Sequence, residues 1–169
     1  MKIRSGLRAD VEAVAALHTA SWRSAYAGIM PAEYLEGPLY EERLGIWGRR
    51  LGAPAPGAAL FLAEDESGVV GFVYLMPCSD GRMLLDNLHV RPSGKRLGTG
   101  SLLFRQALDW VRAEHPGRTL YLEVLEANTS AIAFYERRGG VRTDRRVAHF
   151  DQGFELIELE YAWPVAEAS

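Results

Sequence analysis

Cysteine is almost absent from this sequence, and long hydrophobic runs are missing altogether. Cys78 is the single cysteine, so no disulfide can form within the chain, and a reducing cytoplasm is the expected location. The longest apolar stretch, residues 69–76, is far shorter than the ~20 residues that cross a bilayer. Residues 1–5 lack the apolar core of a secretory signal. These absences exclude a disulfide-stapled fold and predict no association with a membrane.

A strong excess of positive charge is also missing, and this bears on the partners. The chain has 19 basic and 22 acidic residues, a formal net charge of −3 and an isoelectric point near 5.8. A protein that binds nucleic acid is expected to carry a basic stripe, so no such partner is predicted. The four histidines and one cysteine show no metal-ligand spacing, and there is no Gly-x-Ser-x-Gly elbow. Neither a metal site nor a serine hydrolase is predicted.

What remains is the composition of one globular domain. Hydrophobic residues make up 48% and charged residues 24% of the 169 residues, which is enough chain to bury a core. Periodicity and turn residues predict strands and helices in alternating groups. The strands are predicted at 2–5, 60–64, 69–76, 83–90, 119–125, 141–150 and 154–161, and the helices at 10–27, 32–35, 40–50, 99–114 and 129–138. Asp10 is predicted to cap the first of these helices. This order predicts a single α+β domain, 1–169, with helices on both faces of a mostly antiparallel sheet.

One segment carries a pattern typical of phosphate binding. The strand that ends at Val90 is followed by a loop rich in glycine and basic residues, and a helix begins at about Gly98. Glycines and the unpaired N–H groups of a first helical turn together make a cradle for phosphate, and Arg91, Lys95 and Arg96 add charge at its rim. The Walker triplet and the dinucleotide fingerprint are both absent. From these residues alone, a phosphate site and a plain turn are equal alternatives.

Three motifs in order resemble the GNAT N-acetyltransferases. The run around Lys95, Gly98 and Gly100 resembles motif A of that family, with Lys95 where Gln or Arg is usual. Residues 128–139 are similar to motif B, in which Asn opens a helix and Phe-Tyr lies near its end. Residues 22–31 resemble the first helix of a common bacterial subgroup. The resemblance covers nearly the whole chain.

The resemblance implies a cofactor site for acetyl-coenzyme A. In this family two central parallel strands, here 83–90 and 119–125, splay apart to admit it. The backbone of Leu88, His89 and Val90 would pair with the pantetheine arm like an added strand. Asn128 and Ala131 would flank that arm from the other side. The pyrophosphate would be held by N–H groups of Lys95, Arg96, Leu97, Gly98, Thr99, Gly100 and Ser101.

The chemistry of amine acetylation then asks for a base and a donor. An amine of pKa about 10 must lose a proton before it attacks a thioester. Asp86 is the one carboxylate on its strand and is the first candidate for the base, with Glu123 or water as alternatives and a salt-bridged, substrate-orienting role for Asp86 equally open. Strand alternation predicts Asp86 and Leu88 on one face and His89 on the other. Tyr135 matches the tyrosine with which this family assists the leaving thiolate.

The expected activity is transfer of an acetyl group to a primary amine of a small molecule, peptide or protein. The alternative is a sensor or interaction module that binds acyl-coenzyme A on the same fold without catalysis. The acceptor site should be framed by Trp22, Tyr26, the 34–47 region and the last hairpin, with carboxylates such as Glu33 and Glu36 nearby. The arginines at 137–146 are expected to form a solvated face or to reach the cofactor's 3′-phosphate. Whether the chain is a monomer or a homodimer stays open.

Overall fold

The computed structural model describes residues 1–94 and 96–165, where seven strands form one sheet with helices on both faces. In chain order the elements are β1 (Lys2–Ser5), α1 (Val11–Ala25), α2 (Ala32–Glu36), α3 (Leu39–Gly52), β2 (Ala59–Asp65), β3 (Gly68–Pro77), β4 (Met83–Val90), α4 (Thr99–Glu114), β5 (Leu120–Leu125), α5 (Thr129–Arg137), β6 (Val141–His149) and β7 (Glu155–Trp163). Short 3₁₀ turns lie at Arg8–Asp10 and Pro92–Gly94. Within those ranges no helix is long and apolar enough to cross a bilayer. The predicted α+β class is confirmed.

The order of the strands places one parallel pair in the middle of an antiparallel sheet. That order is β1-β2-β3-β4-β5-β7-β6, and β4 with β5 is the parallel pair. These two strands are in register only at Met83 with Leu120 and at Leu84 with Tyr121. Beyond those two pairs they diverge, as the family resemblance implied. The divergence leaves one edge of each strand without a ladder partner.

The main core lies between the sheet and α4. Leu103, Ala107 and Val111 repeat every four residues along α4, so they form a single apolar stripe. All three are at most 2% exposed and pack on inward-facing side chains of β2, β3, β4, β5 and β7. Both diverging strands, β4 and β5, therefore pack on the same helix.

The opposite face of the sheet is covered by α1 and α3 on only one side of the divergence. Val14 and Trp47 are completely buried there against Leu62 and Phe72. A third cluster, around Leu39 and the end of β5, packs the α1–α2 turn onto the sheet. On the same face, β5, β7 and β6 carry charged side chains at register-matched positions. These are Glu123, Glu158, Glu160 and Arg146.

Helix α1 begins where the sequence predicts, but its first residue does not act as expected. Asp10 occupies the N-cap position without accepting a hydrogen bond from the helix. Its carboxylate accepts two bonds from Arg4, at 2.8 and 2.9 Å, and one from the Leu7 N–H at 2.7 Å. The same guanidinium reaches Glu64 on β2 at 2.7 Å. The prediction that Asp10 caps α1 is therefore wrong, because a cation from β1 binds the carboxylate first.

Candidate active site

A cleft of about 820 Å³ opens where β4 and β5 diverge. Its walls come from the end of α1, the diverging strands, the start of α4 and one face of α5. Most residues predicted to bind the cofactor line it: Leu88, His89, Val90, Arg96, Gly98, Gly100, Ser101, Asn128, Ala131 and Tyr135. Asp86 and Glu123 line it as well. Leu97 instead points outward at 72% exposure, Thr99 is buried outside the cleft, and Lys95 lies outside the described residues.

The turn before α4 has an unusual backbone. Arg96 and Gly98 have φ angles of +72° and +83°, a region that L-amino acids other than glycine seldom occupy. Alternation of such residues with ordinary ones directs successive N–H groups to one side, which is the geometry of an anion-binding nest. Gly98 is the N-cap and has no side chain to satisfy the first N–H groups of α4. The start of α4 therefore offers unpaired donors to the cleft.

Gly100 forms the floor of the cleft one residue further on. A Cβ atom at this position would lie 3.4 Å from the Phe134 ring and 3.7 Å from Val90, both of which also line the cleft. These are ordinary contact distances, so a side chain would be tolerated by the fold but would stand in the cleft. The glycine keeps the backbone open to a ligand, and the donors and the open floor together fit a diphosphate group.

A register shift in β4 changes which faces its side chains occupy. The pairing with β3 passes from Asn87 to Leu85, so Asp86 is an extra residue in the strand. Leu85 and Leu88 consequently both pack on the main core, whereas alternation predicts opposite faces. Asp86 and Asn87 both bind Arg50, at 2.6 and 3.0 Å. The prediction that Asp86 shares a face with Leu88 is therefore wrong, whereas Leu88 and His89 lie on opposite faces as predicted.

Asp86 is tied to α3 by that contact. Arg50 also stacks over the rings of Tyr74, at 4.4 Å, and Trp47, at 5.0 Å, which restricts its orientation. The 2.6 Å ion pair engages one oxygen of the Asp86 carboxylate. This arrangement matches the salt-bridged role for Asp86 more closely than that of a proton acceptor.

Glu123 has a different environment on β5. Partial burial and, next, the neighbouring carboxylate of Glu158 raise the pKa of Glu123 to about 7. Arg146 opposes this shift from 3.6 Å while it binds Glu158 at 2.8 Å and Glu160 at 3.2 Å. Arg146 thus lies among carboxylates, and the expectation of a solvated face is wrong for this arginine. A carboxylate that titrates near neutrality is suited to accept a proton.

Tyr135 lines the cleft from α5. Its ring is only 9% exposed and packs against Phe104, Phe134 and Trp163, with centroids 5.3–6.2 Å apart. The hydroxyl makes no hydrogen bond to any residue within 1–94 or 96–165. Burial raises the pKa of Tyr135 well above its usual value, so the hydroxyl remains a donor at neutral pH. The helix that carries it is capped by Asn128, which accepts from the Ala131 N–H at 3.3 Å.

The side chain of His89 contacts α1. Its Nδ1 lies 2.9 Å from the Ser21 hydroxyl, and its ring is 4.7 Å from that of His18. His18 in turn accepts a hydrogen bond from the Trp47 indole at 3.0 Å. Burial lowers the pKa of His18 far below its usual range, so this ring is neutral. The backbone of His89 can serve the cleft while its side chain anchors β4 to α1.

Arg138 connects the two helices at the mouth of the cleft, a role that the sequence did not indicate. Its guanidinium stacks on Phe134 at 3.4 Å and donates hydrogen bonds to the Phe134 carbonyl and to the Ser101 hydroxyl. Ser101 is in the first turn of α4, so the contact spans from α5 to the proposed phosphate cradle. The available signal was the four-residue spacing from Phe134 on a helix, which lets these two side chains meet.

A second cavity of about 630 Å³ lies between α3 and the turn that joins β6 to β7. Tyr34 and the hairpin residues 149–152 line it, as the predicted acceptor frame would require. Trp22 connects the two cavities, because its ring contacts Tyr26 of the cleft at 5.1 Å and Tyr34 at 6.4 Å. The carboxylates here are Glu41, Glu42 and Asp151. Glu33 and Glu36, which the sequence suggested, line neither cavity.

The model of the acetyltransferase (GNAT) family matches residues 14–140. The chain belongs to this family. Its curated relatives include the uncharacterized N-acetyltransferase YuaI of Bacillus subtilis, 28% identical over 96% of this chain and 92% of the relative. A probable N-acetyltransferase of Mycobacterium tuberculosis is 27% identical over 82% of this chain and 78% of its own length.

Solved structures agree on the fold. The PaiA N-acetyltransferase of Thermoplasma acidophilum, crystallised with coenzyme A, superposes with a TM-score of 0.69 at 22% identity, over 93% of this chain and 96% of that one. A GCN5-related N-acetyltransferase of Rhodopseudomonas palustris gives a TM-score of 0.77 at 21% identity, over 97% and 95%. The diverging parallel strands and the helix arrangement are therefore those of the GNAT fold.

Proposed function

We propose that the protein transfers the acetyl group of acetyl-coenzyme A to a primary amine of a small molecule, a peptide or a protein. The main support for the proposal is the set of chemical groups that line one cleft. Unpaired N–H groups at the start of α4, the free hydroxyl of Tyr135 and the near-neutral carboxylate of Glu123 all line it. Each supplies one requirement of amine acetylation: a place for diphosphate, a donor and a base.

The diverging strands supply the place for the extended part of acetyl-coenzyme A. Leu88, His89 and Val90 line the cleft where β4 has diverged from β5, and an extended chain can lie along this strand. Asn128 and Ala131 border the same stretch from α5. The nest of residues 96–98 and the first turn of α4 receive the diphosphate, with Gly100 as its floor. When bound, acetyl-coenzyme A supplies a thioester, which an unprotonated amine can attack.

Glu123 is the proposed base. An acceptor amine is protonated at neutral pH and must lose a proton to react. With a pKa of about 7, a sizeable fraction of Glu123 is ionised at that pH and can take the proton. Asp86 lines the same cleft, but its oxygen is engaged by Arg50 at 2.6 Å. Asp86 stays a prediction from the sequence, and the structural arguments favour Glu123.

Tyr135 is the proposed donor to the leaving sulfur. The residue lines the cleft, and its hydroxyl is protonated and makes no hydrogen bond to another described residue. A thiolate with pKa about 8.5 cannot fully deprotonate a phenol with pKa 10 or above, so the hydroxyl donates a hydrogen bond and keeps its proton. A hydrogen bond aimed at a developing negative charge lowers the barrier without complete transfer.

Release of free thiol from acetyl-coenzyme A tests this proposal. The purified protein is incubated with acetyl-coenzyme A and a panel of primary amines that includes amino acids, peptides and diamines. We expect thiol release that depends on one class of amine, and a rise in unfolding temperature with coenzyme A alone. A rise in unfolding temperature without turnover on any amine would contradict catalysis and support the sensor alternative. No rise with coenzyme A would contradict the cofactor site itself.

A further inference from the structure

Arg43 is a buried cation without a partner. It lies in the middle of α3, and the residue is 5% exposed. Its Nε and Nη2 atoms are shielded from solvent and have no hydrogen-bond acceptor. Within residues 1–94 and 96–165, no carboxylate lies within 4 Å of its guanidinium. One face of the guanidinium stacks on the Trp22 ring at 3.9 Å.

Four partly buried arginines of this protein, unlike Arg43, are paired with carboxylates. Arg4, Arg50, Arg82 and Arg146 have side chains 25–34% exposed, and each binds at least one carboxylate at 2.9 Å or less. Arg43 is more deeply buried than any of them and has no carboxylate. A guanidinium cannot lose its charge by deprotonation, so burial without a counter-ion destabilises the folded state. Contact with Trp22 offsets only part of this, since it leaves the N–H edge unused.

The unused edge is the one that binds carboxylates. Nε and Nη2 lie on the same side of the guanidinium and donate two parallel hydrogen bonds to a carboxylate group. Arg43 lines the second cavity, and Trp22, on which it stacks, contacts Tyr26 of the acetyl-coenzyme A cleft. Leu125, two residues beyond Glu123 on β5, packs in the same cluster as Trp22. Arg43 is thus connected through one aromatic ring to the cleft that holds the proposed base.

We propose that Arg43 binds a carboxylate of the acceptor, so that the acceptor is an amino acid or a short peptide with a free carboxylate. This inference rests on the proposed function and narrows its substrate class. The ligand carboxylate completes the guanidinium edge, and its amine extends toward Glu123. Glu41, Glu42 and Asp151 line the same cavity and disfavour a simple anion, but they tolerate a molecule that also carries a positive charge. The proposal requires that the side chains which shield this edge separate when the ligand enters.

Matched pairs of acceptors test the proposal. The common L-amino acids and a set of Gly-Xaa dipeptides are each compared with their carboxamides, which keep the amine and remove the negative charge. For the best acid we expect kcat/KM at least about tenfold above that of its amide. In Arg43→Met this preference should disappear through the KM of the acid, with the amide unaffected. Arg112→Met, which removes an exposed cation of α4 that lines neither cavity, should keep the preference.

Unfolding temperature gives a second readout that separates binding from structure. Without substrate, Arg43→Met should unfold on the order of 2–4 °C higher than the wild type, because it removes an uncompensated charge. A lower unfolding temperature would mean that Arg43 stabilises the fold, and would contradict the proposal. So would amides that react as well as acids, or an acid preference that survives in Arg43→Met.

The proposed function and this inference can fail separately. If no amine releases thiol although coenzyme A binds, the catalytic proposal is wrong. The carboxylate site is then tested by unfolding in the presence of coenzyme A and each member of the panel. Acids that raise the unfolding temperature of the wild type but not of Arg43→Met would support the site. If acids have no effect, or the same effect as their amides, the site is wrong.

Discussion

The sheet is built differently on the two sides of the β4–β5 divergence. On the side of β1 to β4 it is apolar on both faces, with α4 packed on one and α1 and α3 on the other. On the side of β5, β7 and β6 the face toward α4 and α5 is apolar, whereas the other face carries Glu123, Glu158, Glu160 and Arg146 beside the small apolar cluster around Leu125. One half is a rigid support, and the other holds interacting charges. The cleft lies at their boundary.

This difference explains why two carboxylates in one cleft have different properties. Asp86 projects from the apolar half and is paired with one cation, Arg50, at 2.6 Å. Glu123 projects from the charged half, where a second carboxylate competes for the same cation. Because Arg146 is shared with Glu158, it neutralises Glu123 only in part, and the pKa of Glu123 is higher. Proton transfer is therefore expected on the β5 side and anchoring on the β4 side.

Replacement of Glu123 by glutamine is expected to have the largest effect. Loss of a general base lowers turnover by about 10²–10⁴-fold, and Glu123→Gln should fall in that range with acetyl-coenzyme A affinity unchanged. Asp86→Asn is the matched variant from the other half, and it should change turnover by less than about tenfold because it removes an ion pair only. Steady-state thiol release by both variants measures the contrast. The reverse ranking would place the base on β4.

Tyr135→Phe is expected to lower kcat by about a hundredfold. The ring remains, so the contacts with Phe104 and Trp163 and the affinity for acetyl-coenzyme A should be kept. Calorimetry of cofactor binding alongside thiol release separates the two quantities. Turnover within about threefold of the wild type would remove the hydroxyl from the mechanism and leave only its packing role.

Gly100→Val is expected to weaken acetyl-coenzyme A binding by about tenfold or more, because a side chain would occupy the floor of the cleft. Gly48→Val is the matched control, since a Cβ at this position on α3 meets no atom within 4 Å. Calorimetric titration of both folded variants measures the difference. Equal affinities would mean that the start of α4 does not hold the diphosphate.

The pH dependence should show the smallest change. Activity requires ionised Glu123, so it should rise with pH through a midpoint near 7. In Glu158→Gln the competing carboxylate is gone, the pKa of Glu123 falls, and the midpoint should move to lower pH by about one unit or less. Glu155→Gln, an exposed position on the same strand, should leave it in place. If the midpoint is unchanged in Glu158→Gln, the interaction between Glu123 and Glu158 does not set the pH profile.

Local signals were sufficient to predict much of the fold. Helix α4 and strand β4 have the predicted bounds, since Gly98 and Pro116 bracket the helix and turn residues bracket the strand. The bulge at Asp86 has no local signal, because it is defined by pairing with β3. Asp10 was misjudged for a similar reason, as its partner Arg4 lies on another element.

The site likewise has features that the sequence predicts and features that only the tertiary structure shows. Tyr135 and the start of α4 were identified by motifs that are contiguous in sequence, and the structure places both on the cleft. The environment of Glu123 depends on Arg146 and Glu158, which reach it only through the register of β5, β7 and β6. Arg43 is unpaired because the fold brings no carboxylate of the described residues within 4 Å of its guanidinium. Neither property can be read from spacing along the chain.

The divergence of β4 and β5 also means that bound cosubstrate is expected to stabilise the folded protein. A ligand that binds only the folded protein raises its stability by RT ln(1 + [L]/Kd), about 2.7 kcal/mol at a hundredfold excess over Kd. Amides of β4 beyond Leu84 and of β5 beyond Tyr121 are the groups that such a ligand would shield from exchange with solvent. The lifetime of this protein against proteolysis is then set in part by the supply of its acyl donor.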